Sequence, residues 1–122
     1  MLRLLIADES EAVRKVAAHI LSDLGFSVSE SASALDAFAK SQASLSDIII
    51  VDAGLIGALD LIANLRSLPN GNLAQIYYSV IKADLRCLMA GKRAGATDFL
   101  LKPFDRKVLG AVFGNVASAD AA

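Results

Sequence analysis

Ile48-Ile49-Ile50-Val51-Asp52 is the stretch of sequence that decides the fold. Its near-continuous apolar character is typical of a strand that is buried on both faces of a parallel sheet. Leu4-Leu5-Ile6 has the same character near the start of the chain. Working outward from these two runs, the sequence predicts five strands, at Leu2–Ala7, Ser27–Ser31, Ile48–Asp52, Ile76–Val80 and Asp98–Leu101.

A helical pattern follows each predicted strand. In the first helix, Gly25 can supply the left-handed C-terminal cap. Its apolar residues recur every three or four positions, at Val13, Val16, Ala17, Ile20, Leu21 and Leu24. The other helices are predicted at Ala34–Ser41, Asp60–Ser67, Asp84–Ala94 and Asp105–Val116, followed by a frayed tail at Ala117–Ala122. Five strand–helix pairs with short connections predict one α/β domain, residues 1–122, with helices on both faces of a parallel sheet.

Composition and charge exclude several classes of protein. Hydrophobic residues make up 55 % of the chain, yet no apolar stretch reaches the roughly 20 residues that span a bilayer. The apolar start ends in two carboxylates, Asp8 and Glu9, where a signal peptide would need a cleavage site, and Cys87 has no second cysteine to pair with. We therefore expect a cytoplasmic protein. A net charge of −1 gives no reason to expect a nucleic-acid partner.

The charge is divided unevenly along the chain. Residues 1–81 carry five basic and nine acidic side chains, whereas residues 82–122 carry seven basic and four acidic ones. One reading is an ordinary solvated surface; the other is a docking surface for an acidic partner peptide or helix. The residues of this basic face, on and around the fourth and fifth helices, are Lys82, Arg86, Lys92, Arg93, Arg106 and Lys107.

Charged residues gather where the predicted strands end. Asp8 and Glu9 follow the first strand, Asp52 ends the third, and Lys102 follows the fifth. In an open parallel sheet these positions meet at one edge, where such folds bind their ligands. Carboxylates that lie close together repel one another unless a hard cation such as Mg²⁺ neutralises them. A carboxylate nucleophile, a divalent cation and a lysine together favour phosphoryl transfer onto an aspartate.

This set of residues resembles the motifs of the receiver domains of two-component response regulators. The matching segments are Asp8-Glu9, Asp52, Lys102-Pro103-Phe104 and Ala94-Gly95-Ala96-Thr97-Asp98-Phe99. The resemblance covers nearly the whole chain and is strongest to free-standing chemotaxis-type receivers, which have no output domain of their own. It implies a flavodoxin-like (βα)5 three-layer sandwich with strand order 2-1-3-4-5, and a cis bond before Pro103.

The resemblance also implies a role for each site residue. Asp52 would accept a phosphoryl group from a histidine kinase or a small acyl phosphate, and Lys102 would contact that group. Mg²⁺ would be held by Asp8, Glu9, Asp52 and the backbone carbonyl of Gly54. The domain would be a phosphoprotein that signals by docking through its basic face. It would not be an enzyme with an outside substrate, because its catalysis would be limited to its own phosphorylation and dephosphorylation.

Two switch positions depart from the family pattern. Counted from Asp52 and Lys102, the family's switch hydroxyl falls at Val80, and strand alternation is expected to point the adjacent Ser79 to the opposite face. The family's aromatic switch falls at Phe99, where a tyrosine is common. A hydrogen bond to a charged group is worth about 1.5–3 kcal/mol, so we expect coupling to be weaker by roughly ten- to a hundredfold and Val80→Thr to tighten it.

Two other functions agree with the same sequence. A phosphorylation-independent interaction module would bind constitutively through the basic face and retain its acidic pocket as a remnant. A phosphate sink would accept phosphoryl from a shared histidine kinase and have no docking target. A nucleotide- or flavin-dependent enzyme is disfavoured, because no Gly-rich phosphate loop follows the first strand.

Overall fold

A five-stranded parallel sheet lies at the centre of the protein, in a computed structural model that describes residues 1–121 and the side chains of residues 1–116. The strands are β1 (Arg3–Ala7), β2 (Ser27–Ser31), β3 (Ile48–Asp52), β4 (Gln75–Val80) and β5 (Asp98–Leu101). The helices are α1 (Glu11–Asp23), α2 (Ala34–Ala43), α3 (Ala58–Arg66), α4 (Leu85–Ala94) and α5 (Arg106–Ala121). The strand order is β2-β1-β3-β4-β5, which confirms the predicted topology.

The sheet is covered on both faces, and β3 shows how. Ile48 and Ile50 pack on one face against α1 and α5, in a cluster that includes Leu21 and Phe113. Ile49 and Val51 pack on the other face against α2, α3 and α4. All four of these β3 residues are buried, and full burial of such a side chain stabilises the fold by about 1.5–3 kcal/mol. The uninterrupted apolar run therefore reflects burial on both sides.

Four of the helices begin with a side-chain cap and one does not; before α5, Asp105 Oδ1 accepts the Val108 amide at 2.8 Å. Ser10 accepts a hydrogen bond from the Val13 amide before α1, and Ser33 and Asp84 act in the same way before α2 and α4. α3 instead begins at Gly57, whose φ is +81°, with no side-chain cap. Its first residue lies ahead of the predicted start at Asp60.

The last helix is longer than the sequence pattern predicted. α5 continues to Ala121, beyond the predicted end at Val116, so the expected frayed tail is helical through residue 121. Residue 122, to which the same prediction extended, lies outside the described residues. Within residues 1–121, no helix is long and apolar enough to cross a membrane.

Arg66, at the end of α3, joins two loops at the edge of the sheet opposite the strand ends discussed below. Its guanidinium donates to the carbonyls of Gly95 (2.8 Å), Gly71 (2.7 Å) and Ala74 (2.6 Å), and to Thr97 Oγ1 (3.0 Å). Burial lowers the pKa of Arg66, although an arginine stays charged in proteins. This cation is thus solvated by backbone carbonyls and fixes the connections before β4 and β5.

Candidate functional site

Lys102 lies between the carboxylates of Asp8 and Asp52 at the carboxyl ends of β5, β1 and β3. Its Nζ is 2.6 Å from Asp8 Oδ2 and 2.7 Å from Asp52 Oδ1. All three side chains are at most 14 % exposed, so the interaction is only weakly screened by water. The Lys102–Pro103 peptide bond that follows is cis. The structure thus brings together three residues that lie far apart in the sequence.

The charge balance of this group is negative, with two carboxylates and one ammonium. Burial lowers the pKa of Lys102, but hydrogen bonds to Asp52 and Asp8 and their negative charge outweigh it and raise the pKa overall. Lys102 is therefore protonated and holds apart two carboxylates that would otherwise repel each other. Binding of a further cation would neutralise the excess negative charge, and so would a bond between one of the carboxylates and an incoming electrophile.

Both oxygens of the Asp52 carboxylate have additional partners. The Ser79 hydroxyl donates to Oδ1 at 3.2 Å, and the Gly54 amide donates to Oδ2 at 3.0 Å. The Ala53 amide bonds to the Ser79 carbonyl at 2.8 Å, which ties the loop after β3 to the end of β4. Asp52 is consequently held in one orientation, with part of its carboxylate accessible to solvent.

The position of Ser79 corrects the sequence prediction. Asp52 pairs with Ser79 in the β3–β4 register, and paired residues of neighbouring strands point to the same face. Val80 points to the other face and is buried in the cluster that contains Val51 and Tyr78. The prediction that Ser79 faces away from Asp52, and that no hydroxyl is available, is therefore wrong. A detectable signal was present, since Ser79 is the only hydroxyl in β4 that is not on an aromatic ring.

The predicted metal ligands are only partly brought together. Asp8 is buried, and its Oδ1 accepts the Ser10 amide at 2.9 Å, whereas Glu9 is exposed. Among the described residues, no three His, Cys, Asp or Glu side chains lie close enough to hold a metal ion. The cluster of three carboxylates is thus not assembled, because Lys102 satisfies Asp8 and Asp52 while Glu9 points to solvent. The two converging carboxylates are nevertheless hard oxygen donors of the type that fits Mg²⁺.

The aromatic residues near the site form a layer under α4. Phe99 is half-buried and pairs in register with Tyr78 on β4. Burial, with smaller contributions from Cys87 and Asp52, raises the pKa of Tyr78 to about 12. A Cβ on Gly91 would lie 2.6 Å from Tyr78 Cδ2, so only glycine lets α4 sit this close to the ring. Tyr78, which the sequence analysis did not single out, thus connects the strand beside Asp52 to α4.

The residues of the basic face are all exposed. Arg106 is paired with Asp23 of α1, its Nη2 lying 2.7 Å from Oδ2. Two apolar side chains of α4, Leu85 and Met89, are 72 % and 50 % exposed beside the basic residues. The face therefore combines positive charge with accessible apolar surface.

An apolar groove lies beside Lys102, between the start of α1 and the loops after β4 and β5. Its volume is about 510 Å³. Val16 and Ile81 in its wall are 52 % and 81 % exposed. The residues that line it are Ala12, Val13, Val16, Ile81, Lys102, Pro103 and Phe104.

Comparisons with known proteins agree with the fold and the motifs. The sequence matches the response regulator receiver domain family over residues 4–113. The chemotaxis response regulator CheY4 of Vibrio cholerae is 27 % identical, with a TM-score of 0.88 over 95 % of this chain and 98 % of that one. The receiver domain of sensor histidine kinase PA1611 from Pseudomonas aeruginosa, solved with a magnesium ion in its active-site cleft, is 22 % identical, with a TM-score of 0.84 over 96 % and 98 % of the two chains.

A third solved structure has the same fold. The CheY-like receiver domain protein of Methanospirillum hungatei is 21 % identical, with a TM-score of 0.84 over 99 % of this chain and 97 % of that one. The likeness at this level of identity concerns the fold. The family match covers most of the chain and includes Asp8, Asp52 and Lys102. This chain accordingly belongs to the response regulator receiver domain family of two-component signalling systems.

Proposed function

We propose that this receiver domain accepts a phosphoryl group on Asp52 in a Mg²⁺-dependent reaction. The observation that carries the proposal is the environment of the Asp52 carboxylate. It is partly accessible, faces the Lys102 ammonium at 2.7 Å, and accepts hydrogen bonds from Ser79 and the Gly54 amide. A turn-forming aspartate needs none of these partners, whereas an acceptor of a charged group needs them in place before the reaction.

The chemistry follows from these contacts. An oxygen of Asp52 attacks the phosphorus of an acyl phosphate, a new O–P bond forms, and the P–O bond to the acyl group breaks. The leaving carboxylate takes the electron pair, so no proton donor is needed. Lys102 and Ser79 then donate to oxygens of the transferred group, which places positive charge where negative charge accumulates.

We assign the magnesium site to Asp8, Glu9, Asp52 and the backbone carbonyl of Gly54. When bound, Mg²⁺ supplies positive charge that neutralises phosphoryl oxygens and carboxylates together. The excess negative charge around Lys102 and the presence of a magnesium ion in the cleft of the related PA1611 receiver domain support this assignment. Glu9 is exposed at the entrance and is free to turn toward the other carboxylates.

The proposed partners are a histidine kinase, or a small acyl phosphate, as donor and an acidic target protein in the cytoplasm. The apolar groove beside Lys102 is an accessible surface next to the site, on which a protein donor can dock. The basic face on α4 and α5, with exposed Leu85 and Met89, suits an acidic amphipathic helix. Ser79 bonds Asp52, and its neighbour in β4, Tyr78, packs with Phe99 under α4, so a shift of β4 on phosphorylation changes that face.

Intact-mass spectrometry tests the phosphoryl transfer. The protein is incubated with acetyl phosphate or phosphoramidate, with and without Mg²⁺, as wild type, Asp52→Asn and Asp60→Asn, the last removing an exposed aspartate of α3. We expect a Mg²⁺-dependent gain of one phosphoryl group in the wild type and in Asp60→Asn only. A folded wild type that gains none from either donor would rule the function out in favour of the phosphorylation-independent module.

Fluorescence anisotropy with a labelled acidic amphipathic helical peptide tests the docking face. Arg86→Gln and Gln42→Glu each change the net charge by −1, the first on α4 and the second on exposed α2. We expect Arg86→Gln to weaken binding and Gln42→Glu to leave it unchanged. Equal effects of the two variants would show that only net charge matters and that the basic face is not the docking site.

A further inference from the structure

Arg14 of α1 contacts the backbone of Asp8 and Glu9, two of the three residues that carry the proposed metal-binding carboxylates. Its Nη1 donates to the carbonyl of Asp8 at 2.8 Å and to that of Glu9 at 3.2 Å. The side chain is 14 % exposed, so these bonds are largely protected from water. The sequence analysis gave Arg14 no role. It binds backbone carbonyls, which every residue has, so the residue types of its partners do not reveal the contact.

The guanidinium of Arg14 is itself held from the other side. Its Nε lies 3.3 Å from Glu30 Oε1 on β2, and the second oxygen of Glu30 is 3.0 Å from Lys15 Nζ. Lys40 of α2 also donates to the Glu30 backbone carbonyl. Glu30 is thus fixed by two lysines and in turn fixes the plane of the arginine.

This arrangement constrains where two carboxylates can point. The direction of a side chain follows the orientation of the peptide groups on either side of it, and Arg14 holds the carbonyls of both Asp8 and Glu9. The fork of an arginine has a fixed planar geometry and reaches two acceptors and Glu30 at once, which a lysine cannot do. A partly exposed ion pair with Glu30 alone would contribute little to stability.

We infer that Arg14 is a positioning residue, which with Glu30 holds the Asp8–Glu9 segment in the geometry that binds Mg²⁺. The inference rests on the proposed function, since it assumes that Asp8 and Glu9 are magnesium ligands. Residues that orient metal ligands without touching the metal typically change its affinity by about 10- to 100-fold when they are replaced. We expect the lower end of that range, because Arg14 acts through the backbone and Asp8 keeps its bonds to Lys102 and Ser10.

Isothermal titration calorimetry with MgCl₂ measures the effect without any phosphoryl donor. The variants are Arg14→Lys and Glu30→Gln, and the matched control is Arg3→Lys. Arg3 also donates to backbone carbonyls, those of Ser44 and Leu45, but at the opposite edge of the sheet. We expect Arg14→Lys to weaken Mg²⁺ binding about tenfold, Glu30→Gln to weaken it less, and Arg3→Lys to leave it unchanged.

Phosphorylation rates measured against Mg²⁺ concentration separate positioning from general damage. In Arg14→Lys the Mg²⁺ concentration for half-maximal rate should rise by the same factor as the dissociation constant, while the rate at saturating Mg²⁺ stays close to that of the wild type. Wild-type affinity in both Arg14→Lys and Glu30→Gln, or a loss confined to the saturated rate, would overturn the inference alone. A folded wild type that binds no Mg²⁺ would overturn the proposed magnesium site and the inference with it.

Discussion

Ser79→Ala removes the hydroxyl that lies 3.2 Å from Asp52 Oδ1. A hydrogen bond to a charged group contributes about 1.5–3 kcal/mol, and this distance is longer than the usual 2.7–2.8 Å between two oxygens. We therefore expect the lower end of that range, about 1.5 kcal/mol, as the coupling energy between the two side chains. The quantity comes from a double-mutant cycle of Ser79→Ala and Asp52→Ala. The loss of the Lys102 contact occurs in both arms with Asp52→Ala and cancels.

Val80 provides the matched control for this cycle. It is adjacent in sequence but buried on the other face of the sheet, so Val80→Ala should cost about 2 kcal/mol from lost burial and a cavity. Its coupling to Asp52→Ala should be close to zero. Val80→Thr should destabilise the protein by about 1–3 kcal/mol, because its hydroxyl enters an apolar cluster.

Urea denaturation followed by circular dichroism gives the free energies of unfolding for all members of both cycles. A Ser79–Asp52 coupling energy near zero would refute the assignment of the Ser79 hydroxyl to Asp52. So would a Val80–Asp52 coupling of the same size, because the argument depends on which face each residue occupies.

Three further predictions concern other parts of the fold. Burial raises the pKa of the Tyr78 phenol from 10.0 to about 12, so the phenol keeps its proton more firmly in the folded state. The free energy of unfolding should therefore fall between pH 10 and pH 12 by up to roughly 2.7 kcal/mol. Urea denaturation of Tyr78→Phe should lack that decline. Gly91→Ala places a methyl group 2.6 Å from the Tyr78 ring and should destabilise the protein by about 1–3 kcal/mol. Gly110→Ala has no neighbour within 4 Å and should instead stabilise α5 by about 0.5–1 kcal/mol. Equal shifts of the melting temperature in the two variants would contradict the packing argument. Arg66→Ala leaves three carbonyls in two loops without their donor and should cost about 3 kcal/mol. The exposed Arg93→Ala should cost less than about 0.5 kcal/mol, and chemical denaturation of both variants decides whether that contrast exists.

The fold could be predicted from the sequence because its strands are buried on both faces. Runs such as Ile48–Val51 need no polar alternation, and a charged residue marks the end of three of the strands. The start of α3 could not be placed in the same way. The usual signal is a serine, threonine or aspartate cap, and α3 begins instead at a glycine in the left-handed region.

The candidate site was predictable only in part. The ends of parallel strands meet at one edge, so the meeting of Asp8, Asp52 and Lys102 follows from their positions in the pattern. Ser79 was missed because the switch position was counted along the chain from Asp52 and Lys102, which gave Val80, whereas the residue that faces Asp52 depends on the β3–β4 register. Arg14 and Arg66 were missed for another reason: they bind backbone carbonyls, which are the same whatever residue carries them.

The uncapped beginning of α3 has a consequence for how the protein can change over evolutionary time. The loop from Asp52 to Gly57 is joined to the helix by backbone bonds, among them Leu55 to Asp52 and Ala58 to Leu55, and by the Leu55 side chain, which is buried with Ala58 in the core. Movement of the exposed part of the loop around Ile56, which is 84 % exposed, breaks few contacts and leaves the sheet intact. Substitutions at Ile56 are therefore expected to leave the yield of folded protein close to that of the wild type, whereas the buried Leu55 tolerates fewer changes. On the proposed function, this part of the loop can therefore vary and change the lifetime of the phosphoryl group on Asp52 with little effect on the stability of the fold.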